Sequence, residues 1–231
     1  MTNKETVLAV FAHPDDELTT VGTLANHSQR GDRTMLVWMT YGEEATTITG
    51  SHKEKAQIRE RHSMKVGALL GVETRILGFR DSHVPRTVES AYVVADLIRE
   101  VKPTIIITWG VFWQLGGGHP DHRNTAYNVL DAISYARFPL EGSKFPPHRE
   151  RVGIYMIRTP ESPFPVHYVD IEGHEETLRK FIAIYSELYG DWQVEQFSLA
   201  LARMNGIEAG CNLAEAYNVI QTRCGPSKYL I

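Results

Sequence analysis

The sequence predicts an α/β fold, a mostly parallel, Rossmann-like sheet with helices on both faces. Three observations carry this expectation. The apolar, β-branched run Val7–Phe11 has the length of a strand buried on both faces, and a helical segment, Leu18–Gln29, follows it. The same alternation of strand, loop and helix recurs down the chain. Thr104-Ile-Ile-Ile-Thr-Trp109, set off by Pro103, reads as a central strand. The 231 residues suffice for one large domain spanning 1–231, and no internal repeat divides them.

The elements follow in order. Arg30-Gly31-Asp32 stops the first helix. Met35–Met39 is the second strand, and Thr40-Tyr-Gly-Glu-Glu44 lies at its C-terminal end. A long helix from about Lys53 to Leu70 closes at Gly71, and Arg75–Phe79 is a third strand ending at Arg80-Asp81-Ser82. Val88–Glu100 is helical. Beyond the central strand a loop with three glycines, Gly110–Gly118, leads through His119-Pro-Asp-His122 into a helix over Arg123–Tyr135. Phe138–Arg151, rich in proline and charge, is expected to be a surface excursion. Val152–Ile157 and Val166–Asp170 read as strands. The remainder reads as helical over His174–Leu188, Trp192–Asn205 and Leu213–Val219.

Composition narrows the function. With 24 Lys and Arg against 28 Asp and Glu, the net charge of −4 leaves no basic footprint for nucleic acid or an anionic membrane. No apolar run approaches the roughly 18 residues of a membrane span. The first strand begins too early to admit a signal peptide, so a cytoplasmic setting is expected. Cys211 and Cys224, without metal-type spacing, are then expected to be free thiols.

Two short stretches concentrate the chemistry. Ala12-His13-Pro14-Asp15-Asp16-Glu17 follows the first strand, and His119-Pro-Asp-His122 follows the central one. In a parallel sheet both junctions lie on one edge, so segments about a hundred residues apart can meet there. His13, Asp16 and His122 would offer two imidazoles and a carboxylate, a donor set for a catalytic divalent ion with an open position. Asp15 would be the base taking a proton from water, His119 an acid or oxyanion stabiliser, and Asp121 the acceptor that fixes an imidazole tautomer. Each stretch alone also fits a structural role, as acids or proline in the first turn of a helix. Trp109 would pack or stack on a sugar face. The glycine run would serve a lid or only a tight approach to the next helix. His27, His52, His148 and His174 read as surface residues.

The two motifs together, with Thr40-x-Gly-Glu, Leu70-Gly71, Asp81, Lys102-Pro103 and Ala214-Glu215-Ala216-Tyr217, resemble the LmbE-like (PIG-L) family of metal-dependent de-N-acetylases. The resemblance implies a zinc-dependent hydrolase of N-acetylated amino sugars, with Fe²⁺ or another divalent ion fitting the same ligands. It implies the same roles for His13, Asp16, His122, Asp15 and His119, with Asp121 orienting His119. It also implies sugar contacts from Arg59 and Asp81; Glu43 is a further candidate contact at its strand end. His62 departs from the family pattern, which often has a glutamate there. Homo-oligomers, trimers or hexamers, are implied as well. Two rival readings are an amidase of thiol-sugar S-conjugates and a non-catalytic sugar- or nucleotide-binding module. The chain lacks a Gly-x-Gly-x-x-Gly loop after its first strand, which counts against the second.

Overall fold

In the computed structural model, residues 4–112, 118–190 and 192–222 are described. Seven strands make one sheet: β1 (Thr6–Phe11), β2 (Arg33–Thr40), β3 (Glu73–Phe79), β4 (Ile105–Thr108), β5 (Gly153–Ile157), β6 (Val166–Asp170) and β7 (Ala214–Gln221). The helices are α1 (Val21–Arg30), α2 (His52–Leu70), α3 (Val88–Val101), α4 (Pro120–Tyr135), α5 (Glu175–Ile184), α6 (Ser186–Tyr189) and α7 (Val194–Ala209). The strand order is β3-β2-β1-β4-β5-β7-β6, and β7 runs antiparallel to both of its neighbours.

The apolar strands alternate their side chains between two cores. Val7, Ala9 and Phe11 of β1 join Leu36 and Trp38 of β2 against α1, α2 and α5. Leu8 and Val10 join Met35, Val37 and Met39 on the other face, under α3 and α4. Burial on both faces is why β1 and β2 read as continuous apolar runs. Ser51 starts α2 through a capping box: its Oγ accepts from Glu54 N at 3.4 Å and its own N–H donates to Glu54 Oε2 at 2.8 Å. Gly71 ends that helix at φ 66°, a conformation that costs glycine little.

Two expectations change and a third gains detail. The first helix starts at Val21, because Asp16–Thr19 form a tighter 3-10 turn that closes with Thr20 N donating to Glu17 O at 2.8 Å. Leu213–Val219 is not helical: β7 occupies that stretch, paired on both sides, and tertiary pairing overrides the helix-forming Ala-Glu-Ala at its start. Phe138–Arg151 lies at the surface as expected, with only His148 buried, and is pinned at points along its length. Arg99 donates to Phe145 O, Ser143 Oγ to Asp96, and the buried His148 ring meets Pro103 O at 3.0 Å.

The strand order reverses between β1 and β4, where α/β sheets place their sites. Both motifs leave these two adjacent strands at their C-terminal ends. Among the described residues no helix is long and apolar enough to cross a membrane. Cys211 is a free thiol, and Cys224 lies outside the described residues, as does most of the glycine run.

Candidate metal centre

The first motif is held by its last residue. Asp15 sits at φ 110°, ψ −20°, a left-handed conformation costly for a side chain with a Cβ. Glu17, wholly buried, stabilises it: Oε2 accepts from Asp15 N at 3.0 Å and from Trp38 Nε1 at 2.8 Å, and Oε1 accepts from Tyr185 Oη at 3.0 Å. Burial pushes the Glu17 carboxyl up to about 8, against the hydrogen bond from Trp38. The folded state therefore binds a proton that the unfolded chain releases near 4.5, and stability is lost as pH rises from there towards 8. Glu17→Gln keeps acceptors and donors in place and is expected to flatten this pH dependence, read as melting temperature between pH 5 and 8. Glu17→Ala orphans two buried N–H donors, at about 1–3 kcal/mol each, and is expected to melt lower at every pH.

Around this turn the donors converge. His13 Nδ1 lies 3.2 Å from His122 Nε2, His122 Nε2 lies 3.1 Å from Asp16 Oδ1, and His13 Nδ1 lies 3.6 Å from Asp16 Oδ2. Donors bound tetrahedrally at roughly 2.0–2.1 Å stand about 3.3 Å apart, so the distances from His122 Nε2 to His13 Nδ1 and to Asp16 Oδ1 match the spacing around one ion of zinc size. Asp16 Oδ2 is occupied by Ala12 N at 3.0 Å, His13 N at 2.9 Å and Trp109 Nε1 at 3.0 Å. That leaves Oδ1 for an ion. Burial alone would raise the Asp16 carboxyl, but His122 and His13 outweigh it and hold it well below the ordinary range.

Behind His13 stand two more carboxylates. Its Nε2 is 3.0 Å from Asp81 Oδ1 and 3.3 Å from Asp121 Oδ2, so Nε2 carries the proton and Nδ1 stays free to ligate. Despite the burial penalty, Asp16 and these acids raise the His13 pKa well above normal, so a cation taking Nδ1 displaces a proton from it while Nε2 keeps its own. Asp81, which burial would raise, is drawn down to about 2 by His13. The two carboxylates are fixed in turn: Asp81 Oδ2 accepts from Glu44 N at 2.8 Å and Asp121 Oδ1 from Val84 N at 3.1 Å. Asp121 is thus placed on the imidazole of His13, not on that of His119. It touches His119 only through its backbone, N donating to Nδ1 at 3.2 Å. Asp121→Asn is expected to weaken divalent-ion affinity about 10- to 100-fold, measured by chelator competition, with the fold intact.

The remaining residues take definite places. His119 caps α4, and its Nδ1 acceptor role leaves the proton of the neutral ring on Nε2. Burial first, and then His13 and His122, lower its pKa. Trp109 stacks on His122 at 4.1 Å between centroids and 10° between planes, so it serves the centre rather than a sugar face. Arg59 is buried, donates to Pro14 O and lies 3.6 Å from Asp15 Oδ1. Gly42 passes so close that a Cβ there would meet the Arg59 Nε at 2.8 Å. Glu43 accepts from Asp81 N at 2.9 Å and does not line the cleft, where Glu44 stands instead. The cleft over the cluster holds about 410 Å³ and is lined by polar groups including Arg59, Asp81, Ser82 and His119. Of the histidines expected at the surface, His148 and His174 are buried, His27 is half-buried beside Asp32, and His52 is exposed. His62 is buried and meets Glu187 at 2.8 Å.

Sequence reasoning did not find Glu17 as a clamp or Trp109 as a donor to Asp16. The only signals for them were the terminal acid of the first motif and an aromatic closing the central strand.

The chain is similar to several known deacetylases. Diacetylchitobiose deacetylase of Thermococcus kodakarensis is 25% identical over 226 residues, covering 93% of this chain and 82% of the relative. The 1D-myo-inositol 2-acetamido-2-deoxy-alpha-D-glucopyranoside deacetylase of a Mycobacterium species is 33% identical over 164 residues, 58% of this chain and about half, 52%, of that enzyme. Among solved structures, the N,N'-diacetylchitobiose deacetylase of Pyrococcus horikoshii superposes with a TM-score of 0.84 at 25% identity, over 94% of this chain and 84% of that one. The model of one family matches residues 8–133, a span that contains both motifs and every residue of the cluster. The chain belongs to that family, the PIG-L or GlcNAc-PI de-N-acetylases.

Proposed function

We propose that this protein is a divalent-metal-dependent hydrolase that removes the acetyl group from an N-acetylglucosamine-type amino sugar or its conjugate. The observation that carries the reading is the convergence of His13, Asp16 and His122 at zinc-type spacing, with Asp15 beside them and a polar cleft above. The deacetylase activities named for its relatives support it. The donor set suits zinc, and iron(II) is the alternative.

His13, Asp16 and His122 would hold the ion, which when bound polarises an amide carbonyl and makes water a nucleophile near neutral pH. Asp15 does the proton work. Burial raises its carboxyl to about 6 against the pull of Arg59, so it is ionised at pH 7 yet basic enough to accept a proton. Arg59, held by Pro14 O, fixes the loop that aims this carboxylate. His119, neutral and with its proton on Nε2, offers a hydrogen bond to the oxyanion that develops as the carbonyl is attacked. Asp81 and Asp121 hold the His13 ring, and Trp109 holds Asp16 and His122.

The test is acetate release from N-acetylglucosamine and N,N'-diacetylchitobiose by protein loaded with zinc or iron(II). Turnover abolished by chelation and restored by the ion is the expected result. Ion binding without release of acetate from either sugar would overturn the proposal.

A further inference from the structure

The metal cluster opens onto two cavities, and only one of them suits a sugar. The polar cleft and a second cavity of about 630 Å³ share Asp15, Asp16 and His122 as a common wall. Both volumes fall within the roughly 300–1,000 Å³ of small-molecule sites. The second is lined mainly by Trp109, Leu178, Tyr189, Trp192, Phe197 and Leu201. Most of its few polar groups are already engaged within the protein, the hydroxyls of Thr19 and Tyr189 being buried without a partner. Glu215 accepts from Gly22 N and Thr23 N, Ser198 Oγ donates to Val194 O, and Arg158 pairs with Glu208. A sugar placed there would lose water from all its hydroxyls and find only the Thr19 and Tyr189 hydroxyls to replace it. An acetyl methyl would leave nearly all of the space unfilled. At the mouth, Trp192, Phe197 and Met204 remain 53%, 47% and 52% exposed, an apolar rim continuous with the cluster.

We propose that this cavity takes an alkyl or aryl chain that the substrate carries beside its scissile amide. The proposal rests on the amidohydrolase reading above and narrows its substrate class: one side of the substrate is polar and sugar-like, the other apolar. Two positions supply the same chemistry, the acyl group on nitrogen or the aglycone on the anomeric carbon. In either case hydrolysis adds water across one amide bond, releasing a carboxylate and the amino sugar.

The experiment compares kcat/KM of the metal-loaded protein on three substrates: N-acetylglucosamine, N-hexanoylglucosamine and hexyl N-acetylglucosaminide. Each buried methylene is expected to contribute about four-fold. One hexyl substrate should therefore exceed the parent by at least about 30-fold, and which one does so locates the chain on nitrogen or on the aglycone. Leu201→Arg, which places a charge in the cavity, should reduce that ratio to below about three-fold. Trp192→Ala, at an exposed position that tolerates truncation, should reduce it by about half or more. Equal kcat/KM across the series, with acetate still released, would overturn the apolar-chain proposal and leave the deacetylase reading standing. No turnover of any of the three would overturn both. A flat series in which Trp192→Ala also lowers the oligomeric mass would assign the apolar rim to a second copy of the chain.

Discussion

Asp15→Asn is expected to lower kcat for amide hydrolysis by about 100- to 10,000-fold, the range lost when a positioned general base is removed, with bound metal unchanged. The change is nearly isosteric, and asparagine tolerates the left-handed backbone that Asp15 adopts at φ 110°. The hydrogen bond from its N–H to Glu17 is retained. In the wild type the pH profile follows from the same carboxylate. Burial sets it at about 6, so kcat/KM should fall as pH drops through about 6 and the base becomes protonated. Arg59, at 3.6 Å, pulls this pKa down, and a bound cation acts in the same direction. The acid limb of the metal-loaded enzyme therefore lies at or below about 6, and Arg59→Gln should move it upward. The readouts are metal content by mass spectrometry and kcat/KM from pH 4.5 to 8. A variant that keeps full activity with metal bound would remove Asp15 from the mechanism. One that loses the ion along with activity would move it among the ligands.

Most of the fold was legible because the strands that build the site are buried on both faces. Val7–Phe11 and Thr104–Trp109 stand out as apolar blocks, the first running straight into a motif and the second reaching one after the loop 110–118, so alternation alone placed both junctions on one sheet edge. β7 was hidden for the opposite reason. Its first turn of chain, Ala214-Glu215-Ala216, favours a helix, and it becomes a strand only because β5 and β6 offer edges on both sides. The ligand set was readable because its residues are packed into two short stretches. The supports of that set are not local. Trp109 reaches Asp16 across 93 positions and Tyr185 reaches Glu17 across 168, distances at which no spacing rule operates. Asp81 and Glu43 were expected at the sugar. Asp81 braces His13 and also lines the cleft, whereas Glu43 braces Asp81 from outside the cleft, where Glu44 stands.

Asp16→Asn should abolish tight ion binding while preserving the fold. The asparagine carbonyl can keep the three hydrogen bonds from Ala12 N, His13 N and Trp109 Nε1, since all three reach a single oxygen, Oδ2. Its amide NH₂ then replaces Oδ1, and faces the His122 Nε2 that now lies 3.1 Å from a carboxylate oxygen. A donor and a lost negative charge at that point oppose a cation between two imidazoles. For the wild type, an ion at 100 times its dissociation constant adds about 2.7 kcal/mol to the folded state. In a chain of this size each kcal/mol raises the melting temperature by about 2–4 °C, so zinc should raise it by about 5–10 °C. The variant should melt near the metal-free wild type and gain less than about 1 °C from zinc. It should retain under one part in a thousand of wild-type turnover at stoichiometric metal. A full zinc-dependent shift in Asp16→Asn would show that the ion rests on other groups. The alternative clusters are then His13 with His119 and His122, or His13 with Asp81 and Asp121; within each the ligating atoms lie within 4.8 Å of one another. Asp121→Asn separates the two cases: a brace behind His13 loses affinity about 10- to 100-fold, whereas a ligand loses the ion.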